Sequence, residues 1–254
     1  MSKEYLLILI LSHILADFYF QTNKIAKGKK KKAKWLFLHC MLYMLLMFLM
    51  TLCFFSEFYP VIGGIVAGVV HFVIDSIKYC FTKYYPREKH KISIQEKNVF
   101  FADQMIHILS ITCIVLWINN ISKTPVFQGT LYQLFKNQGG DMYHVILWIT
   151  VLLLIHKPAN IAISLLMKQY KVDNVNNEAS PNDRNAGRFI GVIERILMVV
   201  MLSDGQYAAI GLVLTAKSIA RYDKISKEPA FAEYYLLGTL LSTLIAVLAS
   251  FFVR

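Results

Sequence analysis

Three histidine and aspartate pairs stand four residues apart in otherwise apolar stretches: His13 with Asp17, His71 with Asp75, and Asp103 with His107. Residues at i and i+4 share one face of a helix, so each pair presents an imidazole and a carboxylate in the same direction. An ionised carboxylate at the centre of a bilayer costs about 2.5 to 3.5 kcal/mol even on the lenient insertion scale. Such pairs are metal-ligand candidates. With eight aspartates in 254 residues, the seven histidines should produce about 0.4 pairs of this spacing by chance, and the chain has three. The competing structural role is a metal-free hydrogen-bonded network that pins helices together.

The elements that must carry these residues are membrane helices. The chain is 56% hydrophobic and its apolar runs have the length of transmembrane segments. The expected fold is all-α, a polytopic membrane helical bundle with eight spans near residues 4–20, 35–55, 61–82, 99–121, 143–167, 188–203, 205–222 and 231–253. Two four-helix domains follow, 1–121 with the His/Asp cluster and 122–254 with charged residues inside its spans. The first span has no Ala-x-Ala-like cleavage signal, and His13 and Asp17 interrupt it, so it reads as retained rather than as a signal peptide.

The net charge of +11 is unevenly distributed. Lys24, Lys27, Lys29, Lys30, Lys31, Lys32 and Lys34 follow the first span; Lys83, Arg87, Lys89, Lys91 and Lys97 follow the third. Lys168, Lys171 and Arg184 follow the fifth, and Lys224 and Lys227 the seventh, whereas the segments Ser56 to Pro60 and Ser203 to Gly205 carry no basic residue. The positive-inside rule then makes this a multi-pass protein of the cell membrane with basic loops in the cytoplasm and both termini outside. The lysine run reads as a topology anchor touching lipid headgroups, and no nucleic-acid partner is expected.

In that topology the first and third spans descend toward the cytoplasm and the fourth rises from it. The reversed order of Asp103 and His107 then places all three carboxylates at one depth and all three imidazoles one turn deeper. His39, early in the second span, falls at the carboxylate level. Seven nitrogen and oxygen donors, His13, Asp17, His39, His71, Asp75, Asp103 and His107, therefore converge on the cytoplasmic half. Mixed imidazole and carboxylate ligation without thiolate suits a divalent transition metal, Zn, Fe or Mn, and the donors suffice for one or two ions. Lys78, one turn beyond Asp75, neutralises one carboxylate, and Gln21, Lys24 and Gln104 extend the polar face as outer partners or substrate contacts.

The second half differs in chemistry. Pro158, in His156-Lys157-Pro158-Ala159-Asn160, removes a backbone hydrogen bond inside the fifth span and is expected to kink it. Glu194 and Arg195 in the sixth span and Lys217 and Arg221 in the seventh read as an intramembrane ion-pair network. The sharper alternative is an anion pocket in which Arg188, Arg195, Lys217 and Arg221 hold a phosphate-bearing headgroup. Cys40, Cys53, Cys80 and Cys113 have no Cys-x-x-Cys spacing and read as free packing residues. Neither a Gly-rich phosphate loop nor a Gly-x-Ser-x-Gly elbow is present.

The stretch His13-x-x-x-Asp17-Phe18-x-x-Gln21, followed by Lys24 and His39, then His71-x-x-Ile74-Asp75-x-x-Lys78 and Asp103-Gln104-x-x-His107, resembles a bacterial family of membrane proteins, the domain of unknown function 3307 family, over about the first 120 residues. Gly187-Arg188-x-x-Gly191-x-x-Glu194-Arg195, Ala216-Lys217-Ser218 and Ala232-Glu233-Tyr234-Tyr235 resemble the longer members of that family. The resemblance implies the polar residues as a site and brings no activity with it. A looser likeness is to membrane-bound metal-dependent hydrolases with intramembrane His and Asp. Two main function classes follow: a metal-dependent hydrolase of a lipid or lipid-linked substrate, and a cation or proton-coupled transporter. A non-catalytic scaffold or regulatory protein is the third.

Overall fold

Long apolar runs leave the backbone no hydrogen-bonding solvent, so each run closes its own bonds as a helix. The structure, a computed structural model, describes residues 2–84, 92–122, 125–136, 141–170 and 181–254, and among these it is helical with no strand. The helices are α1 (Lys3–Ile14), α2 (Asn23–Gly28), α3 (Ala33–Phe54), α4 (Phe58–Tyr84), α5 (Ile92–Ile121), α6 (Thr130–Lys136), α7 (Met142–Met167), α8 (Pro181–Ser203), α9 (Ala208–Ile219), α10 (Tyr222–Lys227) and α11 (Pro229–Val253). Arg87, Lys89, Lys91 and Lys171 of the expected basic loops lie outside the described residues.

Among the described residues, five helical segments are long and apolar enough to cross a membrane: Ala33–Phe54, Phe58–Tyr84, Glu96–Ile121, Met142–Tyr170 and Pro229–Val253. Apolar side chains exposed along one stripe of a helix agree with this, as Leu38, Leu42, Leu45, Leu49 and Leu52 do on α3 and Leu236, Leu240, Leu244 and Leu248 on α11. The other three expected spans have physical reasons to fall short. The first is a 12-residue α1 that continues as a π-helical turn, Leu15–Phe20. The seventh is 12 residues long, and the sixth lies in the charge-bearing, strongly amphipathic α8. Gly205, at φ 78°, makes the tight left-handed turn that joins those two helices.

The chain forms two compact units, Met1–Thr150 and Val151–Arg254, with the boundary inside α7. In the first unit α1 packs on α3, α3 on α4, α4 on α5 and α5 back on α1, a closed four-helix ring. Small residues let the ring close: a Cβ on Gly68 of α4 would lie 2.9 Å from the Met44 Cα of α3, and one on Gly64 would lie 2.6 Å from Thr51 Oγ1. At one end of the ring Tyr5 donates to the Pro60 carbonyl at 2.9 Å, and the Gln128 and Gly129 amides cap the Phe54 carbonyl at 3.1 and 2.9 Å. The opposite end carries α2 and the lysine-rich turn into α3. In the second unit α8 packs on α11 and α9, and α10 on α11.

Candidate metal centre

The four-helix ring brings the polar residues of all four helices into its interior. His13, Asp17, His39, His71, Asp75, Asp103 and His107 are all buried. The imidazoles of His13, His71 and His107 form one layer, with ring centroids 6.3 Å apart for the first two, 5.4 Å for His13 and His107, and 4.4 Å for His71 and His107. One turn nearer the lysine-rich end lies the carboxylate layer with His39. The packing brings the imidazoles and carboxylates of the three pairs, with His39, into one interior.

Asp17 reaches this layer by a route that an ideal helix does not offer. It sits in the π-helical turn Leu15–Phe20, whose extra residue per turn swings its carboxylate relative to the α-helical register; π turns recur at functional sites. Asp17 Oδ1 comes within 3.3 Å of His39 Nε2 and 3.7 Å of His71 Nε2. Asp75 Oδ2 lies 3.6 Å from His39 Nε2 and 3.8 Å from His71 Nε2, and the two imidazole nitrogens are 3.3 Å apart. These are five of the six separations among four donor atoms, and they are close to the edges of a tetrahedral site. Ligand bonds of about 2.0 to 2.2 Å around a tetrahedral zinc-type ion give edges of about 3.3 to 3.6 Å.

A second group adjoins the first through Asp75. Asp75, Asp103 and His107 offer ligand atoms within 4.8 Å of one another. His107 donates from Nδ1 to the Asp103 main-chain carbonyl at 2.7 Å, which leaves Nε2 as the lone-pair nitrogen. That Nε2 is buried without a hydrogen-bond partner among the described residues, as are Asp17 Oδ1 and Asp103 Oδ1. Buried acceptors without donors are costly, and the two groups that contain these atoms could each hold a cation that would satisfy them.

His13 is placed differently. Gln104 donates its amide to Asp103 Oδ2 at 3.3 Å, and its Oε1 faces His13 Nε2 at 3.3 Å, so Nε2 carries the proton. The other ring nitrogen, Nδ1, accepts from the Tyr43 hydroxyl at 3.1 Å. Both nitrogens of His13 are thus engaged, although it also stands within ligand range of Asp17 and His71. Tyr43 in addition stacks flat on His71, centroid to centroid 3.6 Å. Sequence reasoning missed Tyr43, although its spacing of four from His39 puts it on the same helix face.

It also missed Lys29. This residue of the turn after α2 reaches into the ring and its Nζ lies 2.9 Å from Asp75 Oδ2. Burial works against its charge, but the Asp75 and Asp17 carboxylates outweigh burial and raise its pKa, so it is a cation at neutral pH. Nothing in a run of seven lysines singles it out. Lys78 bridges the two carboxylates of the second group, 2.6 Å from Asp103 Oδ2 and 3.8 Å from Asp75 Oδ1.

The remaining expected residues fall elsewhere. Lys24 is exposed and lies over the Trp35 ring at 5.5 Å, and Gln21 is half-buried with Oε1 unpartnered among the described residues. In the second unit Arg188 and Arg221 are exposed. Glu194 and Lys217 form the expected ion pair between α8 and α9 at 2.7 Å, and Tyr235 bonds the Lys217 carbonyl at 2.9 Å. Arg195 is fully buried. It donates to the Ile155 carbonyl at 2.8 Å, Ser242 Oγ at 3.1 Å and Asn160 Oδ1 at 2.6 Å, straddling Pro158 inside α7. All four cysteines are free; Cys40 is buried, whereas Cys80 and Cys113 face outward.

Neither the curated proteins nor the solved structures include a match to this chain. The family described as protein of unknown function (DUF3307) matches residues 5–136, a stretch that spans all but the first two residues of α1 and the whole of α3, α4 and α5 with the His/Asp centre. By that match over half of its length, the chain belongs to the DUF3307 family.

Proposed function

We propose that the protein is a multi-pass protein of the cell membrane whose first unit holds one or two divalent transition-metal ions near the cytoplasmic face, and that it hydrolyses a lipid or lipid-linked substrate there. The observation that carries the reading is the set of five separations of 3.3 to 3.8 Å linking His39 Nε2, His71 Nε2, Asp17 Oδ1 and Asp75 Oδ2. Four donors from three elements, the π turn after α1, α3 and α4, meet at close to the edge lengths of a tetrahedral site. Asp103 and His107, adjoining through Asp75, supply a second position, and the donors exceed what a closed structural site uses. A divalent ion supplies Lewis acidity to water and to the substrate oxygen. Water then adds across an ester bond, hydroxyl to the electrophilic centre and proton to the departing oxygen.

The test is metal analysis of protein purified in detergent without added chelator. One to two equivalents of Zn, Fe or Mn are expected, with loss of the metal in His71→Ala and Asp75→Asn and retention of helical content by circular dichroism. A wild type that takes up no metal from micromolar solution sinks the reading. Cation or proton-coupled transport is the second reading. It is favoured by the Lys29 and Lys78 ion pairs, since two ammonium groups replace one divalent ion charge for charge. A catalytic ion should stay bound through gel filtration, and a transported one should exchange within it.

A further inference from the structure

The charge balance of the centre changes sign when metal enters, and this names the substrate class. With the imidazoles neutral, as ligands must be, Asp17, Asp75 and Asp103 carry three negative charges and Lys29 and Lys78 two positive ones. One divalent ion turns the single net negative charge into a single positive charge, and a second ion makes it three. Uncompensated positive charge inside a helical bundle is costly.

The same step frees both ammonium groups. Lys29 Nζ is bonded to Asp75 Oδ2, the oxygen that also faces His39 and His71. Lys78 Nζ sits between Asp75 Oδ1 and Asp103 Oδ2. An ion that takes over these carboxylates weakens the hold of the lysines without displacing them from the site. The lysines are also the part of the cluster that reaches the surface: their side chains are 14% and 29% exposed, against 2% and 6% for Asp75 and Asp103. They rise from two different elements, the turn after α2 and helix α4, at the end of the ring that bears the lysine run.

We infer, resting on the metal reading above, that the loaded centre takes a phosphate-type anion, with Lys29 and Lys78 as its protein ligands on the cytoplasmic side. Phosphate matches the geometry because its several oxygens contact an ion and two separate ammonium groups at once, and lysine serves it as a point charge. Its charge of about −1.5 to −2 at neutral pH meets the excess that the ions create. The surrounding lysines concentrate such anions, whether they are carried on a lipid headgroup or free.

Purified wild-type protein, its metal content measured first, is titrated with inorganic phosphate by calorimetry with and without bound metal. Phosphate should bind only the metal-loaded protein. Affinity should fall at least tenfold in Lys29→Gln and in Lys78→Gln, with metal content unchanged, while Lys29→Arg keeps most of it and serves where a glutamine variant is unstable. Flotation with phosphatidic acid vesicles against phosphatidylcholine vesicles gives the source: preference for phosphatidic acid marks a headgroup, and binding of free phosphate alone marks a soluble ester. Binding of neither overturns the inference. So does phosphate affinity that ignores the metal, or that Lys29→Arg loses as fully as Lys29→Gln. A metal-free wild type overturns the underlying reading and this one with it, whereas a metal-replete protein indifferent to phosphate overturns this one alone.

Discussion

Tyr43 shows how a single side chain ties two imidazoles of the centre together. Its ring covers His71 at 3.6 Å and its hydroxyl holds His13 Nδ1, while Gln104 holds Nε2. The imidazole of His13 is thus held in place through both of its nitrogens. Tyr43→Phe keeps the stacking and removes one hydrogen bond, so thermal unfolding in detergent should show a loss of about 1 kcal/mol with unchanged metal content. Loss of metal in Tyr43→Phe would mean that His13 binds the ion through a nitrogen that Tyr43 prepares.

At the scale of elements, the centre depends on how closely α4 approaches α3. Gly64 and Gly68 face α3 where a Cβ would lie 3.1 Å from the Met47 carbonyl oxygen and 2.9 Å from the Met44 Cα. Backbone cannot swing aside as a flexible side-chain end can. Gly68→Ala should therefore push α3 outward, cost about 1 to 3 kcal/mol and weaken metal binding by separating His39 from His71. Gly211 in α9 has nothing within 4 Å of its Cβ position, so Gly211→Ala should leave stability unchanged or raise it by up to about 1 kcal/mol. Parallel melting curves of the two variants check the contrast; equal shifts would show that helix propensity rather than close packing governs both.

For the molecule as a whole, the two ends of the first unit differ in kind. One end holds Lys29 and Lys78 against the carboxylates, and the other is closed by Tyr5 on Pro60 and Ser56 on the Gln128 carbonyl at 2.8 Å. The positive-inside rule predicts a cytoplasmic lysine end. A cysteine placed at Lys30 should react with an impermeant maleimide only after the cells are permeabilised, and one at Ser56 should react from outside. Labelling of position 30 on intact cells would invert the orientation and put the centre at the outer leaflet.

What the sequence determined by itself is what helical periodicity determines. Spacing of four and the reversed order of Asp103 and His107 were enough to predict that imidazoles and carboxylates lie in two matched layers, because rise per residue is a local property of the chain. Apolar length announced the long helices α3, α4, α5, α7 and α11 for the same reason. Hydropathy alone did not set the span count. It cannot register the π turn after α1, the charged register of α8 or the 12 residues of α9. The tertiary structure decided which atoms meet. It drew Lys29 out of seven chemically equivalent lysines, laid Tyr43 on His71, and swung Asp17 toward His39. Those contacts join residues 22 to 46 positions apart, and their separations follow from how closely four helices can approach, a property of packing that no local spacing encodes.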